Sequence, residues 1–346
     1  MPPSARNPAQ PQFLSVRASL LTALVDLFAT SDRGIHRLLE RSGLAGAQDV
    51  DPYATVPMAQ FVGFLEEGAA VSGDGAFGAR LGSSVRAADM GPVGIVLSLS
   101  ENVAGGMARF ARFTRALQSG TDAQWIRSED RWIFSYRVSD PTLWPRRHDA
   151  EFSLSSVVQV IRDNFRARWS PEEVHFEHSA PPDTQPLEKI FRCPVRFDQP
   201  INRLIFAADI CEEPVRKEDA DLLAALQRHV QDIIGTAVET PDIIAAVRSV
   251  IEANLGLRAI TLDYVATALS MTPRTLQRRL SREGVTLRAL LEEIRHRRAM
   301  SLLSQSRAKV SDVSDALGYS DPTAFWRAWR GWTGTTPSHA KSIRAR

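Results

Sequence analysis

One pattern occurs twice in the 346-residue chain, and this repeat limits the fold more than any other feature. In residues 310–337, VSDVSDALGYSDPTAFWRAWRGWTGTTP, Val310, Val313 and Leu317 recur at helical spacing. Gly318 ends that helix, because glycine accepts the left-handed conformation. Asp321 is a good N-cap, and Pro322 takes the first helical position, where its missing N–H costs nothing. Phe325 and Trp329 share the inner side of a second helix, while Thr323, Trp326, Arg327 and Arg330 fall on other faces. Residues 262–280, LDYVATALSMTPRTLQRRL, repeat the arrangement. Leu262, Val265 and Leu269 form the first stripe, and Ser270 replaces the turn glycine. Thr272 caps, Pro273 follows, and Leu276 and Leu280 face inward. The second helices match at a constant offset of 49, which sets Thr272, Leu276 and Leu280 against Asp321, Phe325 and Trp329. Such a tandem repeat is to be recognised before the rest of the chain is read. A helix, a tight turn and a capped second helix suit entry of that second helix into a DNA major groove.

These residues resemble a known family. Residues 244–346 look like the DNA-binding domain of the AraC/XylS bacterial transcription regulators. The resemblance is carried by MTPRTLQRRLSREGVTLRALLEEIR and LGYSDPTAFWRAWRGWTGTTPSHAK, with the Gly-x-x-Pro ending at Gly334 and Pro337. Ser270 stands where such domains usually have Gly, Ser314 where they have Ala, and Trp329 where they have Phe. These departures bear on packing more than on DNA contact. Upstream, VPMAQFVGFLEEGAAVSGDGAFGARLG, RRHDAEFSLSSVVQVIR, WSPEEVHFEHSAP and RCPVRFDQPINRLIF resemble the arabinose-binding-type sensor domain of one subgroup. The resemblance implies sensing of a small-molecule effector or a protein partner, and contact with RNA polymerase. It does not make arabinose the ligand.

Charge supports a composite chain. The net charge is only +2, but from Ile244 onward 17 Lys and Arg stand against 8 Asp and Glu, which leaves +9 there and −7 upstream. A basic C-terminal third on an acidic body suits an attached DNA-binding module. Cys193 and Cys211 set no disulfide framework and suit a reduced, cytoplasmic setting in which the protein is nucleoid-associated. The start, MPPSARNPAQPQ, lacks a signal pattern, and the apolar stretch 13–29 holds Arg17 and Asp26, so no membrane partner is expected.

Residues 1–12 read as a mobile arm. Residues 13–29 read as an amphipathic helix with Leu20, Leu21, Leu24 and Leu27 on its buried stripe. Further helices are expected at 34–44, 56–73, 75–85, 92–117 and 145–166. Residues 122–140 alternate around a turn at Ser128–Asp130, as a β-hairpin does, and short strands follow at 172–180, 194–199 and 202–207. The expected architecture is an α+β N-terminal sensor domain (13–218), a boundary segment (219–243), and an all-α DNA-binding domain with two helix-turn-helix units (244–346). In the boundary, Leu222, Leu226, Val230 and Ile233 form a stripe that suits either a homodimer helix or packing on the same chain's sensor domain. Gly235 and Pro241 mark a hinge.

For reading base edges in double-stranded DNA, the candidates are Arg274, Gln277 and Arg278 in the first unit and Thr323 and Arg327 in the second. The helix starts at Thr272 and Asp321 suit phosphate contact. Residues 287–300 read as the helix spacing the two units, with Leu287, Leu290, Leu291 and Ile294 inward. Arg295, Arg297 and Arg298 add charge near the phosphates or form a solvated face. Arg279 suits an intramolecular salt bridge. Trp132, Phe134 and Tyr136 share one strand face and suit either an effector pocket or core.

Enzymatic and metal chemistry find little support. His148 and Glu151 share a helix face without a third ligand at zinc spacing, and His175 and His178 sit three apart on a strand, on opposite faces. No phosphate-cradling or dinucleotide glycine motif and no nucleophile elbow is present. The reading is therefore an effector-responsive, sequence-specific DNA-binding regulator with no cofactor and no metal. The alternatives are a regulator controlled only by protein partners, or an enzyme domain fused to a DNA-binding module.

Overall fold

The computed structural model describes residues 14–21, 34–45, 54–138, 140, 143, 145–234, 243–269, 271–305 and 310–337. The expected arm at 1–12, Leu24 and Leu27, the hinge at Gly235 and Pro241, and Ser270 lie outside the described residues.

Among the described residues the first element is a strand, where helical periodicity predicts a helix. β1 (Ser15–Arg17) pairs antiparallel with β2 (Thr55–Pro57), and the helix starts only at Ala18. The backbone around β1 is satisfied across the fold, since Met58 N donates to Leu14 O and Ser15 N to Ser119 Oγ. Those long-range partners override the local apolar spacing. The helices α1 (Gly34–Arg41), α2 (Met58–Ser72), α3 (Phe77–Gly82), α4 (Gly91–Leu99) and α5 (Val103–Leu117) follow. Pro57 leads into α2, Gly73 ends it at φ 67, and Asn102 caps α5 by accepting from Gly105 N at 2.8 Å.

The expected hairpin forms from β3 (Thr121–Ser128) and β4 (Arg131–Val138), with Glu129 at φ 56 in its turn. The helix α6 (Arg147–Asn164) crosses behind the sheet. β5 (Glu173–His175), α7 (Gln185–Phe191), β6 (Val195–Arg196), β7 (Asn202–Ala207) and α8 (Ala208–Glu212) complete the domain. The five-stranded sheet runs β3-β4-β7-β5-β6, and β5–β6 is its parallel pair. The helix α9 (Ala220–Ile234) packs on α4 and α5. Leu223 and Val230 are buried, and Leu226 and Ile233 pack against the sensor core, while Leu222 stays 45% exposed. Of the two readings of the boundary stripe, packing on the same chain accounts for most of it.

Among the described residues six helices follow: α10 (Ile243–Asn254), α11 (Leu262–Ala268), α12 (Pro273–Arg282), α13 (Leu287–Gln305), α14 (Val310–Ala316) and α15 (Pro322–Thr333). They enclose a separate core from Val247 to Trp329, which also takes in Ile126 of β3. Gly256 has a φ of +76, and a Cβ there would lie 2.3 Å from Ala316 O. Only glycine lets the loop after α10 pass this close to the end of α14.

A buried charged seam joins the two cores. Arg203 of β7 is fully buried. Its guanidinium donates to Ala253 O at 2.7 Å and Leu255 O at 3.1 Å, closing the carbonyl end of α10 from the sensor sheet. Its Nε donates to Nδ1 of His175, its register partner on β5, at 3.0 Å. Burial, then Arg203 itself, pushes His175 down to about 4, so the ring is neutral and free to accept. Beside this, Arg298 of α13 pairs with Glu177 at 2.7 Å, and Arg146 pairs with the other Glu177 oxygen at 3.1 Å. Glu252 of α10 takes Arg137 at 3.3 Å and Arg297 at 3.7 Å. Burial opposes the charge on Glu177, but Arg298, Arg146 and Arg137 outweigh it and hold its carboxyl below the usual range.

Two departures from the usual family residues have a measurable cost. Ser314 is fully buried, and its hydroxyl has no hydrogen-bond partner; the buried Trp329 indole N–H also lacks one. Ser314→Ala should therefore raise stability by about 1 kcal/mol in urea denaturation, since the hydroxyl is desolvated for no return. At the seam, Glu177→Gln and Arg298→Met should each cost about 3–5 kcal/mol, because each strands a buried charge. The double variant should cost clearly less than the sum, and strict additivity in the same denaturation series would show that the two do not act as a pair.

Candidate nucleic-acid interface

Each second helix of the repeat is fixed from within and left open outside. In α12, Leu276 and Leu280 are buried, Thr272 caps by accepting from Thr275 N at 3.2 Å, and Pro273 occupies the first turn. Arg274, Gln277, Arg278 and Arg279 are exposed. In α15, Phe325 and Trp329 are buried, and Asp321 caps by accepting from Ala324 N at 2.8 Å. That bond holds the Asp321 carboxyl below its ordinary value. Thr323, Trp326, Arg327 and Arg330 are exposed. The structure thus brings every expected base-edge candidate to one of two solvent-facing helix surfaces. Arg274, Arg278 and Arg279 make no ion pair with any described residue, so the salt bridge expected of Arg279 does not form among them.

Of the three α13 arginines expected near the phosphates, Arg295 and Arg298 are placed otherwise than that role requires. Arg298 is 5% exposed and belongs to the seam. Arg295 donates to Leu317 O at 3.0 Å and Gly318 O at 2.8 Å, and lies over the Tyr319 ring at 4.4 Å. Arg297 pairs with Glu293 at 2.7 Å on its own helix. Arg295 and Arg298 close or brace neighbouring elements, while Arg297 stays exposed. The carbonyls left free at a helix end attract cations, and sequence spacing cannot show which helix end lies nearby.

The three aromatic residues considered for an effector separate. Phe134 and Tyr136 are buried and line an internal cavity of about 30 Å³, room for a water molecule or two. The Tyr136 hydroxyl donates to Asp149 at 2.9 Å, and burial raises that carboxyl to about 6. Trp132 instead stacks on Trp125 at 4.9 Å, and both line a cleft of about 970 Å³ between the β3–β4 hairpin and α10–α11. The far wall of this cleft includes Val250, Tyr264, Ala268 and Leu269 of the DNA-binding core. Arg258 crosses it, donating to Ser128 Oγ at 2.8 Å, pairing with Glu129, and lying 4.2 Å over Tyr264. Trp125 gave no signal in the sequence beyond strand alternation, because its importance depends on a helix more than 100 residues away.

Glu151 keeps His148, which helical spacing placed on its face, and gains two neighbours that spacing did not reveal. Arg147 lies at 2.7 Å, His148 at 3.3 Å and His178, from beyond β5, at 3.5 Å. No group of three or more His, Cys, Asp or Glu among the described residues is placed to hold a metal ion. Burial pushes both Cys193 and Cys211 up to about 12, which disfavours reactive thiolates. No helix among the described residues is long and apolar enough to cross a membrane.

Comparison with known proteins gives the same picture. The arabinose-binding N-terminal domain of AraC transcription regulators matches residues 34–215, more than half of the chain, and a helix-turn-helix domain matches 265–342. The HTH-type transcriptional regulator VirS of Mycobacterium tuberculosis is 24% identical over 328 residues, covering 93% of this chain and 95% of its own. The ornithine utilization regulator of Pseudomonas aeruginosa is 21% identical over 269 residues, covering 78% and 79%. Among solved structures, the transcriptional regulator CdpR of Pseudomonas aeruginosa aligns over 90% of this chain and 97% of its own, at 22% identity and a TM-score of 0.43. With a matching sensor domain ahead of paired, capped recognition helices, this chain belongs to the AraC family of DNA-binding transcription regulators.

Proposed function

We propose that α12 and α15 lie in successive major-groove segments on one face of double-stranded DNA, about one helical turn, roughly 34 Å, apart. The observation that carries this reading is the matched construction of the two helices: buried apolar pair inside, capped N-terminus, cations outside. Arg274, Gln277 and Arg278 read bases in the first half-site, and Thr323 and Arg327 in the second. Arginine bonds guanine O6 and N7, and glutamine pairs with adenine. The N-termini at Thr272 and Asp321 meet phosphates through backbone N–H groups.

The sensor domain (13–218) acts on the DNA-binding domain (244–346) through a bound small molecule rather than by catalysis. The cleft at Trp125 and Trp132 supports this, since one ligand there would touch both units. Contact with RNA polymerase and a homodimeric state complete the proposal, with the protein at work in the cytoplasm on the nucleoid.

Arg278→Ala should cost about 1–3 kcal/mol on the specific site and relax one base position, and Arg327→Ala should relax a position roughly 10 base pairs away. Site selection from a random DNA pool by wild type and both variants tests this. The reading fails if neither changes base preference or both change the same pair. A grip on phosphate alone would weaken all sequences equally. For the effector, native mass spectrometry of protein purified from its host should show a retained small molecule. Trp132→Ala should lose that mass, whereas the core substitution Phe134→Leu should keep it; the opposite order would move the site into the core.

A further inference from the structure

We infer that Trp326 is a specificity-determining residue that reads a thymine methyl group in the second half-site. The inference rests on the proposed docking of α15 in the major groove. The internal repeat carries it first. The offset of 49 that aligns Leu276 with Phe325 and Leu280 with Trp329 also aligns Arg274 with Thr323, Gln277 with Trp326, and Arg278 with Arg327. Both helices begin on a side-chain cap followed by proline, and both bury the aligned pair. Equivalent positions therefore present equivalent surfaces. In α12 the middle position holds a hydrogen-bonding Gln; in α15 it holds an indole.

The surroundings of that indole supply the second argument. The other aromatic side chains of this unit are engaged with one another. Phe325 meets Tyr319 at 5.6 Å and Trp329 at 6.1 Å, and Trp332 meets His296 at 5.1 Å. Trp326 takes no part in these contacts and is 37% exposed, on a surface shared with Thr323, Arg327 and Arg330. More than a third of its surface therefore stays available to a partner.

The chemistry of the groove then selects the base. Among the base edges of the major groove, the apolar group is the C5-methyl of thymine, next to the O4 acceptor. An indole offers an apolar face and one N–H donor and has no acceptor. It cannot satisfy the amino groups of adenine or cytosine. Guanine offers only acceptors, which arginine serves better. The two half-sites are thus read by different chemistry, hydrogen bonding in the first and methyl contact in the second.

The test uses the full-length protein and the DNA site it selects from a random pool. Each thymine of the second half-site is replaced singly by uracil, which removes only the methyl group, and binding is measured for wild type, Trp326→Ala and Trp326→Phe. In wild type, one uracil substitution should weaken binding about fourfold, the cost of leaving one methyl-sized contact unmade. The same substitution should have no effect on Trp326→Ala and a retained effect on Trp326→Phe. Thermal melting confirms that both variants are folded. The inference is overturned if no uracil substitution weakens wild type, if the selected second half-site lacks thymine, or if Trp326→Ala keeps the full uracil effect. Arg327→Ala, run in parallel, separates the two levels. A relaxed base preference there with a flat uracil scan removes only the role of Trp326. No relaxation there removes the docking of α15 itself.

Discussion

The buried guanidinium of Arg203 stands among the side chains that tie the two halves of this protein together. Arg203 reaches from the sensor sheet to the carbonyl end of α10, the first helix of the DNA-binding unit. A helix end leaves carbonyls without partners, and here the sensor domain supplies the donors. The end of the first helix of the DNA-binding unit is therefore defined partly by another domain. The ion pairs of Glu177 and Glu252 with Arg298 and Arg137 surround this bond and fix its lateral position. Buried pairs contribute less to stability than to geometry, because desolvation offsets much of their attraction. Their role here is to allow one arrangement of α10 and α13 on the sheet and penalise others.

That geometry separates two populations of arginine. Arg295 and Arg298 of α13, with Arg258, turn inward or toward the sensor hairpin and close a helix end, a carboxylate and a tyrosine ring. Those of α12 and α15 stay in water. Net charge alone treats the two alike, although the first group is already engaged within the protein. The basic character of the C-terminal third thus overstates its phosphate-binding capacity, and the repeat is the better guide to the DNA face.

On the sensor side, the two aromatic sites differ most in volume. The space beside Phe134 and Tyr136 is water-sized and lined by core side chains, while the cleft at Trp125 and Trp132 is far larger and bounded by both units. A ligand in the cleft would change the contact between hairpin and α11 directly. A ligand in the core would first have to displace well-packed side chains.

The sequence by itself determined the local elements. Caps at Thr272 and Asp321, proline at the first turn, glycine at helix ends and the strand alternation of 122–138 all act within a few residues, so they are legible without a fold. The repeat likewise marked the two outward helix surfaces, and the same offset would have pointed to Trp326. What only the tertiary structure decided depends on partners far along the chain. β1 became a strand because residues 54–58 and Ser119 lie beside it. The stripe of α9 found its cover in α4 and α5, Arg298 found Glu177, and Trp132 parted from Phe134 to face a cleft. An arginine or an aromatic ring carries the same local signal whether it meets solvent, DNA or a carboxylate more than a hundred residues away. Only the packing of the domains settles which of these it meets.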